Sequence, residues 1–217
     1  MIVETFPVRP LGCNCSIIGD EATKEAIVVD PGGELDKIEA RLKAHGFKVK
    51  AILHTHTHID HVGATAGLQR ITGATAKIHE ADNFLYSILP IQAQLLGMGA
   101  APETCDVEWL KDGEELAIGA SKLRVIHTPG HTPGSCCFEL ARAGDDEHRI
   151  VFAGDTLFQG SVGRTDLWGG DSAQIVKSIR GRLFTLPEPT RVITGHGGDT
   201  TIADEMRFNP FVGRRAP

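Results

Sequence analysis

No run of lysine and arginine occurs anywhere in the chain, and 22 basic against 28 acidic residues leave a formal charge of −6. A protein that neutralises nucleic-acid phosphates needs a basic face, so this balance argues against a nucleic-acid partner. Also absent is any window approaching the roughly 18 apolar residues of a membrane span. The opening MIVETFPVRPLGCNC has no basic start followed by an apolar stretch, so it does not read as a secretory signal. A cytoplasmic location without a membrane partner is expected. Five cysteines, Cys13, Cys15, Cys105, Cys136 and Cys137, are odd in number and lack the C-x-x-C rhythm of a zinc ribbon. They read as small buried thiols in a reducing compartment.

What is present is an ordinary globular composition, 41% apolar and 23% charged over 217 residues, ample for a buried core. Short β-branched runs predict strands at 2–8, 14–19, 25–30, 50–55, 76–79, 123–128, 135–140, 149–155 and 191–196. A helix is expected over 34–46, where Leu35, Ile38 and Leu42 recur at helical spacing and Gly46 stops the run. A second, over 63–73, puts Ala64, Leu68 and Ile71 on one face, and a third, over 172–184, does so with Ile175 and Ile179. A short terminal helix starts near Ile202 and must stop by Pro210. The segment LPIQAQLLGMGAAPETCD, 89–106, is apolar and Gly-rich without a clean period, and is expected to be irregular packed loop. Strands come in two batches, each accompanied by helices, with no Pro-, Gly- or Ser-rich linker and no repeat. This predicts a single α/β domain over 1–217, two sheets with helices on their outer faces.

The stretch ILHTHTHIDHVGA, 52–64, packs His54, His56, His58, Asp60 and His61 into eight positions. Imidazole and carboxylate are ligands that suit zinc and its neighbours. On extended backbone alternate side chains share a face, so His56 and His58 point the same way. Adjacent Asp60 and His61 break that alternation and can serve a second ion. As the only adjacent Asp–His pair in the stretch, they set the register H-x-H-x-D-H and leave His54 as a core histidine or one that supports the ligands from behind. Further ligands are needed, and three polar residues stand beside glycine at the ends of apolar strands: His131 in TPGHTPGS, Asp155 in VFAGDTLF and His196 in VITGHGGD. Such strand ends are where α/β folds expose functional side chains.

Taken in order, HTHTHIDH, TPGHTPGS, GDTLF and GHG resemble the metallo-β-lactamase superfamily over nearly the whole chain. GDTLFQGSVGRTDL and TGHGGDTTIADEMRFNPF are similar to the short glyoxalase II-like proteins within it. The resemblance implies a four-layer αββα sandwich with metals at the edge where the two sheets meet. It implies His56, His58 and His131 on one divalent ion, Asp60, His61 and His196 on a second, and Asp155 bridging both. His45, His79, His127 and His148 match no ligand position. Zinc is the first expectation, and iron and manganese suit the same donors. The implied reaction is hydrolysis of a thioester, S-2-hydroxyacylglutathione, to glutathione and a 2-hydroxy acid, by attack of a hydroxide shared between the ions. Asp60 would also orient that hydroxide. Full-length glyoxalase II carries a helical C-terminal domain that supplies much of its glutathione site; here only residues 197–217 follow His196, so that domain is not expected. Arg164 of GRTD is placed to bind a substrate carboxylate bidentately, with a structural contact to Asp166 as its competing role.

The rival reading is persulfide dioxygenase, also similar to glyoxalase II and also marked by GRTD, in which one iron is held at the positions of His56, His131 and Asp155. The GHG at 195–197 speaks against it. A nuclease is disfavoured by the acidic charge, and a lactamase by Asp155, where many such lactamases use cysteine. A closed, non-catalytic metal module is disfavoured because this ligand set leaves positions for water and substrate.

Overall fold

The computed structural model of the protein describes residues 1–142, 145–214 and 216, with the side chains of 142–148 outside that description. The chain divides into two compact units, 1–110 and 111–217. In the first, β1 (Ile2–Val8), β2 (Cys13–Gly19), β3 (Glu25–Val29), β4 (Lys48–Leu53), β5 (Thr75–His79) and β6 (Val107–Leu110) form one sheet in that order. β1 to β3 pair antiparallel and β3 to β6 parallel. Parallel neighbours require crossovers. These are α1 (Leu35–His45), then α2 (Ile59–Val62) with α3 (Thr65–Thr72), then α4 (Asn83–Ser87) with α5 (Leu89–Leu95). Alternate residues of β2 and β3, namely Cys13, Cys15, Ile17, Ala26 and Val28, cluster with Ile38 and Leu42 of α1 and Leu68 of α3. The period of two in the strands thus meets the period of 3.6 in the helices.

In the second unit β7 (Glu115–Ile118), β8 (Ser121–His127), β9 (Cys136–Arg142), β10 (Asp145–Gly154), β13 (Arg191–Thr194) and β14 (Thr200–Thr201) share a sheet, ordered β14-β13-β10-β9-β8-β7. Among the described residues only β10 and β13 pair parallel. A two-stranded ribbon, β11 (Leu157–Phe158) and β12 (Ser161–Val162), follows β10. α6 (Ser172–Ser178) and α7 (Ile202–Phe208) bring Ile175 and Ile202 against Ile126, Cys137, Val151 and Val192.

Nine strands and four helical segments fall where the sequence predicts, within a few residues. Three expectations change. The segment 89–106 is not wholly irregular: α5 buries Leu89, Gln92 and Ala93, at i, i+3 and i+4. Its period was masked because Ile91 and Leu95 on the opposite side are apolar yet exposed. The helix at 63–73 is preceded by the separate turn α2, and Ile71, in the last turn of α3, is 47% exposed instead of buried with Leu68. The helix from 172 widens after Ser178 into a π turn over Ile179–Leu183, where Phe184 N–H bonds to Ile179 O and both Ile179 and Leu183 stay buried. Strands β6, β7, β11, β12 and β14 carry no signal because they are two to four residues long.

All five cysteines are free thiols, with four of them buried and Cys105 partly so. Among the described residues no helix is long and apolar enough to cross a membrane.

The parallel part of the first sheet sends its strand ends to one edge. Asp30 follows β3, the histidine stretch follows β4 and Asp82 follows β5. Backbones meet closely there: a Cβ on Gly32 would lie 1.6 Å from Asp60 O. Gly32→Ala is therefore expected to cost about 1–3 kcal/mol, roughly 2–12 °C in Tm, because the clash is with backbone. A thermal melt within a degree of the parent would contradict this.

Candidate metal centre

β4 ends at Leu53 and the chain runs irregularly to His58, whose φ of −66° and ψ of 148° start α2. His56, His58, Asp60 and His61 are 2%, 8%, 8% and 0% exposed. Ligand nitrogens of His56 and His58 lie within 4.8 Å of one another. The onset of α2 at Ile59 explains why Asp60 and His61 leave the alternation. It does not throw them far, since the His56 and His61 rings lie 4.0 Å apart at their centroids. His61 Nε2 is 3.7 Å from Asp60 Oδ2.

An imidazole that ligates through one nitrogen almost always donates its other N–H to an acceptor, which fixes tautomer and orientation. Asp30, at φ 50° in the left-handed region, supplies that acceptor. Its Oδ1 accepts Thr55 N–H at 2.8 Å, and its Oδ2 accepts the Thr55 hydroxyl at 2.6 Å and lies 3.0 Å from His61 Nδ1. A carboxylate only accepts, so the His61 proton sits on Nδ1 and the lone pair on Nε2. The Thr55 hydroxyl, having donated to Asp30, accepts from His56 Nδ1 at 3.1 Å. One carboxylate therefore sets two tautomers, one directly and one through a hydroxyl.

His54, 1% exposed, is spent otherwise. Its Nδ1 donates to His61 O at 3.2 Å and its Nε2 accepts from Thr65 Oγ1 at 3.2 Å, with burial holding its pKa down at about 4. Cys13 Sγ lies 3.4 Å from His61 Nδ1, but burial pushes the thiol up to about 12, so it packs beside the ring as a neutral group.

In the second unit the register gathers the other three residues. Gly154 pairs with Thr194 across parallel β10 and β13, so Asp155 and His196 leave neighbouring strands at one end. Phe152 pairs with Phe138 across antiparallel β10 and β9, which brings the β8–β9 turn bearing His131 to the same end. Asp155 Oδ2 lies 3.7 Å from His131 Nε2, and its Oδ1 lies 3.8 Å from His196 Nε2. These spans exceed a hydrogen bond. They match two ligands each about 2 Å from one ion, with a different carboxylate oxygen facing each imidazole. His131 Nδ1 donates to Arg164 O at 2.7 Å, which again leaves Nε2 as the ligand nitrogen. Gly195 lets the strands close: a Cβ there would lie 2.0 Å from Asp155 Oδ1. The donor set fits a divalent cation.

Arg164 takes the structural role that competed with substrate binding, and its backbone carbonyl accepts the His131 proton. Its guanidinium is 60% exposed and grips Asp166 at 2.7 and 2.9 Å, which holds the Asp166 carboxyl down at about 2. His45 bonds Glu4, His79 caps the 3-10 turn 80–82, and His127 donates to Pro133 O. The side chain of His148 lies outside the described residues.

Sequence reasoning missed Asp30, Thr55, Asp82 and Gln92. Asp30 had a usable signal: VVDPGG ends an apolar strand beside glycine, the same pattern that singled out Asp155 and His196.

A sequence profile of the metallo-β-lactamase superfamily matches residues 8–196. The chain belongs to this superfamily and has its mixed α/β fold, a scaffold that holds divalent metal on histidine and aspartate. It is 38% identical to hydroxyacylglutathione hydrolase GloC of Haemophilus influenzae over the full length of both chains. Among solved structures it is similar to the BLEG-1 B3 metallo-β-lactamase (34% identity, TM-score 0.86, 97% of this chain and 99% of that one). It is also similar to TTHA1623 in a di-iron-bound form (35%, TM-score 0.84, 96% and 100%). ETHE1 from Myxococcus xanthus follows at 30% identity and TM-score 0.77, over 98% and 84%.

Two tests follow. His56→Ala, His131→Ala and Asp155→Ala should each lose bound metal, whereas His54→Ala should keep stoichiometry while losing about 2–4 kcal/mol of stability. Metal analysis after gel filtration reads this, and metal lost from His54→Ala but kept in His58→Ala would overturn the register. Thr55→Val retains shape and backbone donor but removes the hydroxyl between Asp30 and His56. Competition against a chromophoric chelator should show affinity weakened about ten- to hundredfold, and parental affinity would contradict the relay.

Proposed function

We propose that the chain is a dinuclear metallohydrolase that cleaves a glutathione thioester, S-2-hydroxyacylglutathione, to glutathione and a 2-hydroxy acid in the cytoplasm. The observation that carries this reading is end-to-end likeness to hydroxyacylglutathione hydrolase GloC at 38% identity. In this reading His56, His58 and His131 hold one ion, Asp60, His61 and His196 hold the other, and Asp155 serves both. The two faces of the Asp155 carboxylate toward His131 and His196 support a shared ligand. The di-iron form of TTHA1623 supports a pair of ions in a fold of this kind.

Bound divalent ions supply Lewis acidity toward a carbonyl oxygen and bring the pKa of water toward neutrality. Zinc is the proposed pair, with iron or manganese as substitutes. The chain's own residues do the rest. Asp30 and Thr55 keep the proton of His61 and of His56 on Nδ1, so neither ring turns its ligand nitrogen away. Asp60, with Oδ2 toward His61, accepts a hydrogen bond from the attacking water and aims its lone pair at the thioester carbon. Burial of the histidines keeps the site in a low dielectric, where charge developing in the transition state is stabilised most. The thiolate leaves without a protein acid. Arg164 takes a substrate carboxylate by exchanging Asp166 for it, one carboxylate replacing another on the same guanidinium.

Likeness to ETHE1 favours a second reading, a mononuclear iron dioxygenase acting on glutathione persulfide with His56, His131 and Asp155 as ligands. One pair of assays separates them. Zinc-loaded protein should consume the thioester absorbance of S-lactoylglutathione, and His56→Ala should reduce turnover on the order of a thousandfold, the scale for loss of a core catalytic group. Absence of turnover, with oxygen uptake from glutathione persulfide by iron-loaded protein, would replace the first reading with the second.

A further inference from the structure

The backbone around His58 is gripped from both sides by a single side chain. Gln92, on the buried face of α5 and 2% exposed, reaches the turn between β4 and α2. Its Oε1 accepts Ile59 N–H at 2.9 Å, while its Nε2 donates to Thr57 O at 3.3 Å and to Leu85 O at 2.9 Å. Thr57 O belongs to the peptide plane before His58, and Ile59 N–H to the plane after it. One rigid amide thus fixes both planes flanking His58 and with them its φ of −66° and ψ of 148°. The orientation of the amide is set by chemistry, since a flip would place NH2 against Ile59 N–H and oxygen against two carbonyls. Only a side chain carrying donor and acceptor on one planar carbon can do this. Asp82, fully buried, secures the preceding residue by accepting Thr57 N–H at 3.1 Å and, at its carbonyl, the Thr57 hydroxyl at 3.0 Å.

His56 and His61 are held through their rings, by Thr55 and by Asp30. His58 lies beyond the strand, just before a four-residue helix, where neither sheet pairing nor a long helix sets the backbone. We propose that Gln92 is the positioning residue for His58: it fixes the backbone of the metal-binding turn from α5 and so determines how well His58 takes its ion. This rests on the reading of His58 as a metal ligand. It also gives α5 a purpose that its exposed Ile91 and Leu95 do not explain, since the helix buries Gln92 against the turn and leaves Gln94 exposed.

The test uses the full-length protein with Gln92→Met, which keeps length and loses all three hydrogen bonds, and Gln92→Glu, which keeps only the acceptor. Cobalt is titrated into the apo forms, read by visible absorption and chelator competition, with His58→Ala alongside and apo thermal melts as the measure of folding. Expected is a ten- to hundredfold weaker cobalt site in both Gln92 variants, with an altered absorption band, the deficit in Gln92→Glu being no smaller than in Gln92→Met because its oxygen faces two carbonyls. Parental affinity and spectrum in both variants, with His58→Ala impaired, would overturn the role of Gln92 and leave the ligand assignment standing. Parental affinity in His58→Ala would overturn both. Hydrogen exchange at the Ile59 amide of the unaltered protein needs no variant to fold: slow exchange is expected, and exchange at the rate of open loops would overturn the proposal.

Discussion

The hydrogen bonds to the Asp30 carboxylate govern the first unit's part of the chemistry. A histidine ligates a metal ion as the neutral ring, and a neutral ring has two tautomers of which only one presents the lone pair where a cation can use it. Asp30 removes the choice for His61 by direct contact and for His56 through Thr55. Replacing that carboxylate with a group that also donates would leave the rings free to point a hydrogen where a metal should be. The same edge explains the backbone cost that the chain tolerates: Asp30 adopts a positive φ, and Gly32 passes so near Asp60 O that no side chain fits.

The second unit reaches a similar end by a different route. There a backbone carbonyl, Arg164 O, takes the His131 proton, and strand register delivers Asp155 between His131 and His196. Parallel pairing of β10 with β13 is what makes this work, because it puts two strand C-termini side by side, the arrangement that gives α/β folds their sites. The residue whose charge was expected to matter, Arg164, contributes its carbonyl here, while its guanidinium is occupied by Asp166.

Long strands and amphipathic helices were legible because burial of one face imposes a period that survives in the residue order, as in Ile38 and Leu42 of α1 or Cys13, Cys15 and Ile17 of β2. α5 escaped notice because its exposed side is as apolar as its buried side, which erases the contrast that a period needs. The π turn after Ser178 escaped because widening a helix by one residue changes no residue type.

The residue order by itself determined the candidate donors: which histidines and aspartates stand at strand ends, in what succession, and that His54 falls outside the H-x-H-x-D-H register. Those facts are local, carried by spacing and by neighbouring glycines. Only the tertiary structure decided which nitrogen of each ring faces outward and what holds each ring in place. The acceptors and clamps responsible, Asp30 for Thr55 and His61, Arg164 O for His131 and Gln92 for the His58 turn, lie 25 to 35 residues away along the chain. A hydrogen bond between residues so far apart leaves no spacing to read, since it exists only after sheets and helices have folded them together.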